Sequence, residues 1–145
     1  MNDLEPTPPK PDRLRQHPDP RFAAPQHQYD LSAVAAKLQQ EPDAGESGRR
    51  QETLYKHGTT TVSLFIFGHL TRLPPHRANG VVTIHVLAGH LQVTAEGQAH
   101  DLHAGNLLIL APKVQHDVVA REESRMLLTV NLEPPTPDQA QRTSP

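Results

Sequence analysis

The sequence contains no cysteine and no tryptophan. Without thiols it has no disulfide staple, no thiolate metal site and no cysteine nucleophile. Aromatic residues make up only 3% and hydrophobic residues 35%, which is low for a compact domain. No run of about 18 apolar residues is present, which excludes a transmembrane helix. The segment Met1–Pro11 has no apolar stretch of the kind a secretory signal needs. Neither sign of charge dominates: 14 Lys and Arg stand against 16 Asp and Glu, a formal net charge of -2. That balance leaves no basic stripe for nucleic acid and no Lys/Arg-rich amphipathic helix for a membrane surface. A soluble cytoplasmic protein with neither partner is expected. Ser63, Ser124 and Ser144 sit in no Gly-x-Ser-x-Gly elbow, and Gly45–Gly48 is too short for a phosphate loop. Glu122-Glu123 reads as a solvated turn between strands.

What is present falls into four parts. The chain has 145 residues, enough for one domain that buries about two-thirds of its unfolded surface. Seven of its 15 prolines fall in residues 1–25 and four in 134–145. Residues 1–28 therefore read as an extended or disordered arm, with Phe22 available to dock on the domain. Residues 29–48 hold a short helix and a linker. Asp30 is the expected N-cap, Tyr29 staples onto Val34, and Leu31, Val34, Ala35 and Leu38 form one apolar stripe. Pro42 and Gly45 end the helix. Residues 49–132 carry strand signals at Thr59–Phe67, Val81–Leu87, Leu91–Thr94, Ala99–Leu102, Leu107–Leu110, Asp117–Ala120 and Arg125–Asn131. Gly89 and Glu96-Gly97 mark tight turns. Short strands with frequent turns predict an antiparallel sandwich or small barrel. Residues 133–145 return to tail composition.

Four segments then carry a resemblance: Pro75-His76-Arg77-Ala78, Val86-Leu87-Ala88-Gly89-His90-Leu91-Gln92-Val93, Ala104-Gly105-Asn106 and Val114-Gln115-His116-Asp117-Val118. Together they resemble the cupin family. The resemblance implies an all-β double-stranded β-helix, a jelly-roll barrel, here with a short N-terminal helix and Pro-rich tails. It also implies a homodimer. The first motif of that family runs His-x-His, four residues, Glu, six residues, Gly. The second runs Gly, five residues, Pro-x-Gly, two residues, His, three residues, Asn. His76 matches the leading histidine, and Ala78 stands where the second belongs. Counting back from Gly89 past six residues, Val82 stands at the glutamate position. Gly105 opens the second motif and His116 matches its histidine, while Ala120 replaces its asparagine. Asn106 stands where aspartate is usual. Lys113 stands where glycine is usual, which predicts a rebuilt loop, because a left-handed backbone penalises lysine.

The resemblance implies a site for a divalent transition metal such as iron, manganese, nickel or zinc. Of its four usual ligands only His76 and His116 survive, and two imidazoles are too few for a stable catalytic centre. Ala78 and Val82 make the expected pocket, His76, Ala78, Val82 and His116, more apolar. That favours a small organic ligand. The alternatives are a metal-dependent enzyme of dioxygenase or isomerase type using His76 and His116, and a non-catalytic interaction protein. His85 is the nearest candidate for a third ligand, but strand parity puts it on the face opposite Val82, Ile84 and Val86. Parity also turns Arg77 away from the pocket. His69 precedes the Pro74-Pro75 pair, within reach of the barrel mouth. His90, His100 and His103 read as solvated turn residues; His17, His27 and His57 receive no role. Leu64–Phe67 is apolar on both faces. One face suits the barrel, and the other a second copy of the chain or the chain's own helix.

Overall fold

Alternation along the strands decides the architecture. The computed structural model describes residues 18–42 and 48–134. Two helices, α1 (Pro18–Arg21) and α2 (Leu31–Gln39), precede nine strands among the described residues. These are β1 (Arg49–His57), β2 (Thr60–Phe67), β3 (Arg72–His76), β4 (Gly80–Ala88), β5 (His90–Ala95), β6 (Gln98–His103), β7 (Leu107–Leu110), β8 (His116–Ala120) and β9 (Ser124–Leu132). One sheet has the order β1-β2-β9-β4-β7 and the other β3-β8-β5-β6, antiparallel throughout. From β2 onward every connection except the β5–β6 hairpin crosses between the sheets, the pattern of a jelly-roll barrel. Two strands, β1 and β3, go beyond those the sequence marks.

Inward residues of both sheets meet in one core that includes Phe65, Phe67, Val82, Ile84, Val93 and Met126. On β2 the parity is strict. Phe65 and Phe67 enter the barrel, while Leu64 and Ile66 face outward beneath Ala35 and Leu38 of α2. The helix thus takes the outer face that was also suited to a second copy of the chain. Asp30 caps it as expected: its carboxylate accepts from the backbone N–H groups of Ser32 (3.0 Å) and Ala33 (3.2 Å). The helix stops at Gln39, ahead of Pro42; Gly45 lies outside the described residues. Tyr29, expected to staple onto Val34, sends its hydroxyl to the Leu54 carbonyl oxygen at 2.5 Å.

Of the arm over 1–28, residues 18–28 are described. Phe22 is buried, with its ring edge-on to Tyr55 at 5.8 Å and to His27 at 6.0 Å. Arg21 donates to the Thr53 carbonyl and pairs with Glu52 at 3.8 Å. These contacts tie the segment to edge strand β1. What the sequence implies for residues 1–17, His17 included, and for 135–145 lies outside the described residues.

Gly89 makes the β4–β5 turn that the sequence marks. It has φ 88, and an added Cβ would lie 2.3 Å from the Glu123 carbonyl oxygen. Only glycine fits that approach. The next residue, His90, donates its N–H to Ser124 Oγ at 2.9 Å, which joins this turn to the start of β9.

Candidate functional site

The ends of β3 and β7 and the starts of β4 and β8 meet at one end of the barrel. His76 closes β3 and His116 opens β8, and the two are register partners. Their rings lie 4.3 Å apart between centroids, inclined at 57°. A bulge brings them together. The register passes from Leu73 opposite Val118 to His76 opposite His116, so β3 carries one extra residue. Leu73 packs on the barrel core. Without the extra residue His76 would fall on the outer face. The bulge coincides with Pro74 and Pro75, which lack the N–H a ladder needs and are tolerated because β3 is an edge strand.

The two histidines differ in exposure. His76 is exposed, and His116 is only 3% exposed. Each Nδ1 is bonded to a carbonyl oxygen, Pro74 for His76 (2.9 Å) and Val114 for His116 (3.0 Å). A carbonyl only accepts, so each Nδ1 carries a proton, and in the neutral form of either ring the lone pair lies on Nε2. Burial pushes the His116 pKa below the ordinary histidine value of 6.5, and the neighbouring His76 charge adds to this. The Val114 hydrogen bond and Asp117 act in the opposite direction. His116 is therefore neutral at pH 7, with Nε2 an acceptor.

The other expected pocket residues supply no donor atoms. Val82 is 3% exposed within the core, and Ala78 packs against that core just before β4. The Ala78 carbonyl accepts from the Lys113 N–H at 2.8 Å, which ties the β3–β4 loop to the β7–β8 loop. Among the described residues no group of three His, Asp or Glu side chains is placed to hold a metal. The residues present do not complete the metal site that the family pattern implies. His85 lies between inward Ile84 and Val86, opposite Leu107 and Leu127, and so on the outer side of the sheet. Arg77 is exposed and donates to Gln115 Oε1 at 2.9 Å. On the far side of β8, a crevice of about 350 Å³ is bounded by Pro75, Thr94, Glu96, Gln115, His116 and Asp117. Glu96 and Asp117 are acidic groups near the pair that the sequence offered only as turn and strand residues.

Several expectations need correction. Lys113 does not rebuild its loop: it adopts the left-handed backbone itself, at φ 69. Its exposed side chain lets the loop keep its path at a cost of about 1 kcal/mol. Asn106, where aspartate is usual, accepts the His103 N–H on its side-chain oxygen at 2.8 Å. His90, His100 and His103 belong to strands, not turns. His90 and His103 are register partners with rings stacked at 4.3 Å, and His90 Nε2 lies 2.8 Å from Asp101 Oδ1. That hydrogen bond, aided by the charges of His90, His103 and Arg121, holds the Asp101 pKa below the ordinary 3.8. His100 stands opposite buried Val93, half-buried on the Leu102 face.

Residues 65–131 match the family model of the cupin domain. That stretch of the chain is a cupin domain. The chain is similar in fold to a cupin superfamily protein from Desulfitobacterium hafniense, with 20% identity and a TM-score of 0.59 over 63% of this chain and 84% of that one. A conserved protein of unknown function from Streptococcus pyogenes matches with 18% identity and a TM-score of 0.58 over 62% and 79%. An RmlC-like cupin from Desulfovibrio desulfuricans matches with 22% identity and a TM-score of 0.56 over 65% and 92%. No curated protein matches the sequence. At these identities the likeness carries the fold alone.

Proposed function

We propose that this cupin binds a small organic ligand at the barrel end marked by His76 and His116, without a resident metal centre. The observation that carries this reading is the pair of imidazoles whose Nδ1–H groups are engaged by the carbonyls of Pro74 and Val114, which leaves the two Nε2 atoms for a ligand. Two Nε2 acceptors stand side by side, one exposed and one buried, with Ala78 and Val82 where further ligands would be. Such a site suits a neutral molecule that donates hydroxyl or N–H groups to the imidazoles and lays an apolar part on the core. The same proposal keeps the partner a small molecule and the assembly a homodimer whose contact avoids the strand face under α2. Light scattering should then give twice the mass of the chain.

A thermal-shift screen of small hydroxylated and N–H-bearing compounds, in metal-free buffer, tests the reading. A ligand at about 100 times its Kd adds about 2.7 kcal/mol, which raises Tm by about 5–10 °C. The His76→Ala/His116→Ala variant should lose that shift. Hits that shift both proteins equally would contradict the site.

The metal-dependent reading has one observation in its favour. Histidines that donate Nδ1–H to a carbonyl are oriented as metal ligands commonly are. Metal content measured with and without His76 and His116 separates it from the first reading.

A further inference from the structure

We propose that a groove on the outside of the barrel is a second binding site, for a small, uncharged, planar aromatic molecule. The groove lies between the N-terminal segment and strands β1, β2 and β9, and it encloses about 550 Å³. Small-molecule pockets span roughly 300–1,000 Å³.

A bulge builds it. The β1 register passes from Thr53 opposite Ser63 to Tyr55 opposite Val62, which leaves Leu54 as the extra residue. Two neighbours in sequence, Leu54 and Tyr55, therefore both line the outer groove. Leu54, Val62 and Leu127 form an apolar floor. Tyr55 and His27 form a wall, with rings 5.2 Å apart at 54°, and Phe22 braces both. Tyr29 lines the groove with its hydroxyl already committed to the Leu54 carbonyl.

The chemistry of this lining selects its ligand. Among the described residues none that lines the groove is Asp, Glu, Lys or Arg, so the lining offers no counter-charge to an ion that leaves water. The aromatic wall offers faces and edges for a flat ring. His27 Nε2 is bonded to the Ala24 carbonyl at 3.1 Å, so Nδ1 is the acceptor of the neutral ring. A flat neutral ring system with one O–H or N–H donor fits these features. The groove is independent of the barrel end, because Val62 and Leu64 face outward while Phe65 and Phe67 face in.

The chain supplies its own reporter. Its only two tyrosines, Tyr29 and Tyr55, both line the groove, and it has no tryptophan. The probe is 2-naphthol, titrated into the full chain at pH 7.5 and followed by tyrosine fluorescence and calorimetry. A saturable one-to-one quench is expected. The anion 2-naphthoate should bind at least about ten-fold more weakly, since the lining offers no counter-charge. Val62→Phe fills the groove and should weaken 2-naphthol at least about ten-fold, and His27→Ala, on an exposed segment, should weaken it by a smaller factor. The His76→Ala/His116→Ala variant should leave its affinity unchanged. The proposal is overturned by the absence of a saturable quench in the full chain, by equal affinity for 2-naphthoate, or by binding that ignores Val62→Phe.

Discussion

The barrel end and the outer groove are built by the same device and turned to opposite sides. In each, an edge strand gains one residue: β3 at Pro74-Pro75 and β1 at Leu54. On β3 the extra residue swings His76 inward onto His116. On β1 it leaves both Leu54 and Tyr55 on the outside. A histidine paired with a histidine at the barrel end becomes a pair of acceptors. A histidine set against a tyrosine on the outer face becomes part of an aromatic wall. Residue type alone does not assign these roles; the position of a single insertion relative to the pleat does.

Four perturbations probe this contrast. Leu38, 1% exposed, holds α2 on the outer face. Leu38→Ala should cost about 2–5 kcal/mol by denaturant titration, and should disturb the Tyr29 and Tyr55 environment while the His76–His116 pair keeps its tautomers by NMR. A loss felt first at the barrel end would break the separation of the two regions. Removal of the Asp30 cap by Asp30→Ala should cost about 1 kcal/mol in the same assay, again on the groove side alone.

The third perturbation is pH. The His116 pKa is lowered in the folded state, so below about 6.5 the unfolded chain takes up a proton that the native barrel resists. The stability that neutral His116 represents is present above that pH and is lost as pH falls toward its folded pKa. Denaturant midpoints between pH 7.5 and 5.5 should fall less steeply in His116→Gln than in the wild type. A parallel pair of curves would contradict the burial argument. The smallest effect is expected at Lys113. Lys113→Gly relieves the left-handed strain but adds chain entropy, for a net gain of about 0.5 kcal/mol.

The sequence shows the barrel wherever apolar residues alternate cleanly. Leu107–Leu110 is marked to the residue, and Val81–Leu87 and Arg125–Asn131 fall within one residue of β4 and β9 at each end. It hides β1, because Arg49–His57 is an edge strand rich in charged and polar residues whose alternation is broken by the Leu54 bulge. It hides β3 because Pro74-Pro75 reads as loop. The candidate pair was legible through motif spacing, but the bulge that makes His76 face His116 was not, since an extra residue in a ladder leaves no mark in composition. His90 and His103 read as turn residues in the sequence because the turn glycines, Gly89 and Gly105, lie within two residues of strand ends. The outer groove had no signal beyond Phe22, since it needs residues distant in sequence to converge on one bulge.

The central claim is that His76 and His116 serve a ligand rather than a resident metal. Elemental mass spectrometry of untagged protein tests it most directly, after loading with iron, manganese, nickel or zinc and gel filtration, beside the His76→Ala/His116→Ala variant. The account predicts well under one ion per chain in both proteins. Near-stoichiometric metal in the wild type, absent from the variant, would contradict it.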